Sequence, residues 1–87
     1  MNKIWQEAFK GLKVVRYKTY DSGASYEGWG SAIAELKDGS YAWGDYSHCS
    51  CNDAIEALTT GTANDEYHAL HSVSNREDLE KEPWIHV

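Results

Sequence analysis

An α+β domain in the order α-β-β-β-α-α, with a three-stranded antiparallel sheet and helices packed on one face, is the architecture this sequence predicts. Three observations carry it. Asp38-Gly39 separates two β-rich runs and suits the left-handed backbone of a tight hairpin turn. The run LKVVRYKTY alternates Val15, Tyr17 and Thr19 with Arg16, Lys18 and Tyr20, the period of a strand with one buried face. Capping signals recur along the second half, before segments of helical spacing. At 87 residues the chain is one domain, 1–87, and small enough that every large apolar side chain is needed in a single core. Aromatic residues make up 13% of the chain, with four Trp and six Tyr against one Phe, so that core should be aromatic.

The elements follow in order. Asn2 caps a first helix over residues 3–10, with Ile4, Trp5, Ala8 and Phe9 on one face and Gly11 just past its end. LKVVRYKTY is the first strand, and DSGASYEGWG, rich in turn residues, reads as a loop. Tyr26 and Trp29 in that loop are unusual for a connector and become candidate binding residues. SAIAELK and SYAWGDYSH are strands two and three. DAIEALTT, with Asp53 and Glu56 at capping-box spacing and Gly61 after it, reads as a short helix. DEYHALHS reads as another, capped by Asn64, with Tyr67 and Leu70 inward. Ser74 and Glu77 mark a fresh start for NREDLEKE, which Pro83 stops, and the apolar tail WIHV docks back on the body.

Charge narrows the functions. The net charge is −6, which argues against a binder of the phosphate backbone, since such proteins neutralise phosphates with Lys and Arg. Residues 1–20 carry net +4 and residues 21–87 net −10, so a basic beginning is attached to an acidic body. The basic strand KVVRYK is expected to keep its charges outward on a sheet edge, a common guard against sheet-to-sheet association. No apolar run approaches the roughly 20 residues of a membrane helix, and MNKIWQEAFKGLK does not read as a signal peptide, so a cytoplasmic location without membrane contact is expected. No phosphate-loop pattern occurs and no cofactor is implied.

The run HCSC, residues 48–51, admits three readings. Cys49 and Cys51 could join His48, or His68 and His71, around zinc, which would make a small zinc-stabilised structural or regulatory module; the single residue between the cysteines is a poor bite for a tetrahedral ion. Either thiol could be activated at a helix start, but no orienting partner or catalytic signature accompanies it, and no catalytic residue is assigned. The plainer reading, which is favoured, is a strand-to-helix junction with both cysteines as small buried hydrophobes. A disulfide between them would close a strained ring.

The α-β-β-β opening resembles that of double-stranded-RNA-binding domains, but DAIEALTT carries two acids and no base where those domains grip phosphates. The run DGSYAWGDYSHCSCNDAIEAL, about a quarter of the chain, resembles small phage proteins that have an aspartate-glycine turn, an aromatic strand and a Cys-x-Cys junction. The resemblance implies an anti-defence context, as in anti-CRISPR proteins, in which a non-enzymatic inhibitor binds a host protein with a basic surface. Asp65, Glu66, Glu77, Asp78, Glu80 and Glu82 would supply steering charge, and Tyr26 and Trp29 the desolvated anchors.

Overall fold

A computed structural model describes residues 1–22, 27–49 and 55–87. Asn2 caps helix α1 (Lys3–Ala8), its Oδ1 accepting from the backbone N–H of Trp5 at 3.2 Å. Gly11 then turns the chain at φ 84°, a left-handed value that costs glycine little. Strands β1 (Val14–Asp21), β2 (Glu27–Leu36), β3 (Tyr41–Cys49) and β4 (Ile55–Ala63) follow, then α2 (Glu66–Leu70), α3 (Arg76–Glu80) and the two-residue β5 (Ile85–His86). The β2–β3 turn is the expected one. Gly39 sits at φ 91°, and the Asp38 carboxylate accepts from the Ser40 N–H at 2.9 Å and its hydroxyl at 2.6 Å.

The sheet has five antiparallel strands in the order β4-β3-β2-β1-β5, which replaces the expected three. Of the two added strands, β4 stands where a helix was expected. Residues 53–60 were expected to be helical; instead Ile55–Ala63 pairs along β3, from Ile55 opposite His48 to Ala63 opposite Tyr41. Thr59, Thr60 and Thr62 favour an extended chain, and Gly61 disfavours a helix while leaving room for the Trp43 indole laid over it. A capping-box spacing is a local signal, and a ladder of eight residue pairs outweighs it. The tail docks as expected, by backbone pairing: β5 adds to β1 at Arg16–His86 and Tyr17–Ile85. The expected loop 21–30 is also partly strand, since β2 begins at Glu27.

Helices cover both faces, not one. On the first face, Trp5 and Phe9 of α1 pack on Ala32, Ala34, Leu36, Ala42 and Tyr46. The small side chains, with Gly44, make a shallow bed into which the Trp5 indole sinks until it is 0% exposed. On the second face, Ala69, Leu70, Val73 and Leu79 of the α2–α3 segment pack on Ile33 and Tyr41, flanked by Tyr20, Trp43 and Trp84. Alternation along β2 explains the division, because Ala32 and Ala34 point one way and Ile33 the other.

A strand buried on both sides changes the fate of its charges. Arg16 and Lys18 do not lie outward on an edge; they lie under the second layer, and Lys18 is only 6% exposed. Trp84 receives both, with the Arg16 guanidinium 3.8 Å and the Lys18 ammonium 5.0 Å from its ring centre. Arg16 also donates to Glu35, to the Tyr41 hydroxyl at 3.1 Å and to Glu66 at 3.3 Å.

Tyr46 is buried beneath α1, edge-on to Trp5 with ring centres 5.6 Å apart. Burial first, and then its hydrogen bond to Asp21, push the ionisation of its hydroxyl upward. The folded chain therefore holds this proton more tightly than the unfolded one. The resulting stability is complete below about pH 10, the range of a free phenol, and is lost as the pH climbs beyond it. Tyr46→Phe should flatten that alkaline decline, a change that urea titrations at neutral and strongly alkaline pH will detect.

Candidate functional site

The acidic side chains singled out above come from two five-residue helices, each too short to be stable alone. Their seat on the sheet is a polar clamp at the turn between them. Ser31 of β2, fully buried, donates to Asp45 of β3 at 2.5 Å and accepts from the Asn75 backbone N–H at 3.2 Å and its side-chain amide at 2.9 Å. The Asp45 carboxylate in turn accepts from the Ser74 N–H at 2.9 Å and its hydroxyl at 3.0 Å. The turn's donors at Ser74 and Asn75 are thus matched by acceptors on two neighbouring strands, which fixes the start of α3. Leu70, Val73 and Leu79 supply the apolar contacts beside it.

Asp65, and not Asn64, caps α2. Its carboxylate accepts from the His68 N–H at 2.8 Å and lies 2.7 Å from the His68 ring nitrogen. The backbone amide first, and the imidazole second, hold the Asp65 carboxyl below its ordinary range. Glu66 is half-buried and turned toward Arg16, so it braces the layer against β1. Glu80 pairs with Arg76 at 2.9 Å. Glu77 and Asp78 are exposed and make no ion pair among the described residues, and Glu82 is half-buried at the end of the segment. The structure therefore gathers all six acids on one layer and ties Glu66 into the fold.

The aromatic candidates fare differently. Tyr26 lies outside the described residues. Trp29 is a strand residue on the same sheet face as Ile33, and it is 44% exposed. It borders an open concavity of about 500 Å³ shared with Asp45, Ser47, Thr59, Ser74 and Asn75, beside the clamp that holds the acidic segment. Tyr67, expected inward, points out: it is 63% exposed, stacked on His71 with ring centres 4.0 Å apart and edge-on to His68. On so short a helix the inward places are taken by Ala69 and Leu70, and Tyr67, though three residues before Leu70, lies at the margin of that face and stacks on His71. The sequence carries no signal for this, because the three-residue spacing of Tyr67 and Leu70 predicts both inward.

The strand-to-helix reading of HCSC is replaced by a strand end, since β3 runs to Cys49 and the next described element is β4. Cys51, the expected caps Asn52 and Asp53, and the side chains of His48 and Cys49 lie outside the described residues. Among the described residues no three His, Cys, Asp or Glu side chains are grouped as a metal ion needs. The His71 ring nitrogen lies 2.8 Å from the Tyr67 carbonyl and that of His68 faces Asp65. Among the described residues, no helix is long and apolar enough to cross a membrane. Comparison with protein-family models, with curated proteins and with solved structures finds no match to this chain.

Proposed function

We propose that this chain is a small acidic inhibitor that binds, without chemistry of its own, a host protein through that protein's basic surface. It is of the anti-defence kind that the run DGSYAWGDYSHCSCNDAIEAL resembles. One observation supports this most: acids scattered over eighteen positions of sequence, from Asp65 to Glu82, share one layer with an exposed aromatic ring, Tyr67. Clustered carboxylates steer a cationic partner and raise its association rate, whereas a desolvated tyrosine supplies binding energy that screened surface charges do not. The polar clamp at Ser31 and Asp45 keeps the layer in one arrangement, so little order has to be gained on docking.

The test is capture of a partner from host extract by the wild-type chain, with Glu77→Lys/Asp78→Lys and Tyr67→Ala as controls. The double reversal should weaken binding by about 100-fold, and Tyr67→Ala by about tenfold. Added salt should weaken the wild-type complex through screening. Binding that ignores both salt and the reversals would refute the acidic layer as the contact.

A further inference from the structure

The sheet ends on one side in β5, two residues long, and on the other in β4, nine residues long. Among the described residues nothing pairs with the outer edge of β4. An extended edge presents alternate N–H and C=O groups to solvent, and proteins ordinarily blunt it with lysine, proline, a bulge or a covering segment. In β4 the pairing with β3 is irregular only at its start, between the pairs His48–Ile55 and Ser47–Ala57. The stretch 57–63 that follows, ALTTGTA, has no charge and no proline in a chain of which 25% is charged. Thr59, Thr60 and Thr62 are exposed and Leu58 is 44% exposed, so the strand's side chains leave the edge open.

We propose that β4 pairs antiparallel with β4 of a second copy, making one continuous ten-stranded sheet. The sequence of the strand favours this occupant. Two chains of net −6 repel overall, and a neutral seam paired antiparallel with itself brings no acid opposite an acid. The neutral stretch is such a seam, bounded by Glu56 on one side and Asp65 on the other. A two-fold axis at Thr60 places Thr60 opposite itself and Leu58 opposite Thr62, an arrangement in which each copy contributes the same patch. Parity is preserved, so the α1 layers of both copies share one side of the joint sheet and the acidic layers share the other.

Sedimentation equilibrium of the purified chain over a concentration series tests this. The apparent mass should rise to twice that of the monomer, and more readily at high salt, where repulsion between the acidic bodies is screened; the proposed complex with a basic partner responds to salt in the opposite sense. Thr60→Lys sets two ammonium groups face to face at the axis and should leave a monomer whose melting, measured in dilute solution, is unchanged. Thr62→Lys should do the same if the first variant folds poorly. Alternate β4 amides should gain protection from hydrogen exchange as the wild type is concentrated. A monomer at every concentration and salt, or a dimer that tolerates both lysines, overturns the assignment. So does protection of β4 only in the presence of another protein, which would give the edge to that protein.

Discussion

Trp5→Ala should leave the fold close to its limit of stability. The indole is fully buried against a bed of Ala32, Ala34, Ala42 and Gly44, stacked on Phe9 at 5.8 Å and met edge-on by Tyr46. Truncating a buried tryptophan costs about 3–5 kcal/mol, since small side chains and strand backbone cannot collapse into the space. A chain of this length has a total of roughly 4–13 kcal/mol at the usual stability per residue. Trp5→Phe is the informative companion. Among the described residues the Trp5 indole N–H has no hydrogen-bond partner, and an unsatisfied buried donor is itself unfavourable by about 1–3 kcal/mol. Phenylalanine removes that donor while keeping most of the ring contacts, so it should cost far less than alanine. Urea unfolding followed by far-ultraviolet circular dichroism measures both; a Trp5→Ala midpoint near wild type would show that α1 contributes little to the core.

Gly30→Ala is expected to be the most harmful single methyl addition among the glycines described. A Cβ there would lie 2.4 Å from the Tyr46 ring and 2.6 Å from the Tyr20 carbonyl oxygen, where β1 and β2 pair. The ring is buried beneath α1 and the carbonyl belongs to the neighbouring strand, so neither can yield without disturbing the sheet. Overpacking of this kind costs about 1–3 kcal/mol, which in a domain of this size lowers Tm by about 4–8 °C per kcal/mol. For Gly61→Ala the three nearest atoms all belong to the Trp43 indole, from 2.5 Å, and a side chain that is not fully buried can swing aside. Thermal melts should therefore rank Gly30→Ala below Gly61→Ala. The reverse order would mean that β1 and β2 separate more easily than their register implies.

Gly30 also shows where reading the sequence stops working. In DSGASYEGWG, glycines beside serine and aspartate are the composition of a turn, and nothing local distinguishes a glycine needed for a left-handed angle from one needed for space under a tyrosine sixteen positions away. The first helix with its Asn2 cap and the Asp38-Gly39 turn were legible because their causes lie within a few residues. The last two helices were legible in place but not in their starts, since Asp65 and not Asn64 caps α2. Ser74, instead of opening a capping box with Glu77, bonds to Asp45 of β3, while Asn75 takes the cap position of α3. β4 was misread for the complementary reason: Asp53 and Glu56 form a local helix signal, while the ladder that prevails is supplied by β3.

The candidate site divides along the same line. Composition and position alone yielded an acidic C-terminal third and its individual carboxylates, because charge is a property of each residue and needs no neighbour. Their assembly into one layer came from contacts between distant strands: the Ser31, Asp45 and Asn75 clamp, the Arg16–Glu66 pair and the packing of Leu70 and Leu79. The same contacts turned Tyr67 outward and drew Lys18 beneath Trp84. Local backbone preferences amount to a few tenths of a kcal/mol per residue, whereas burying a large side chain is worth about 1.5–3 kcal/mol, so wherever the two disagreed the packing prevailed.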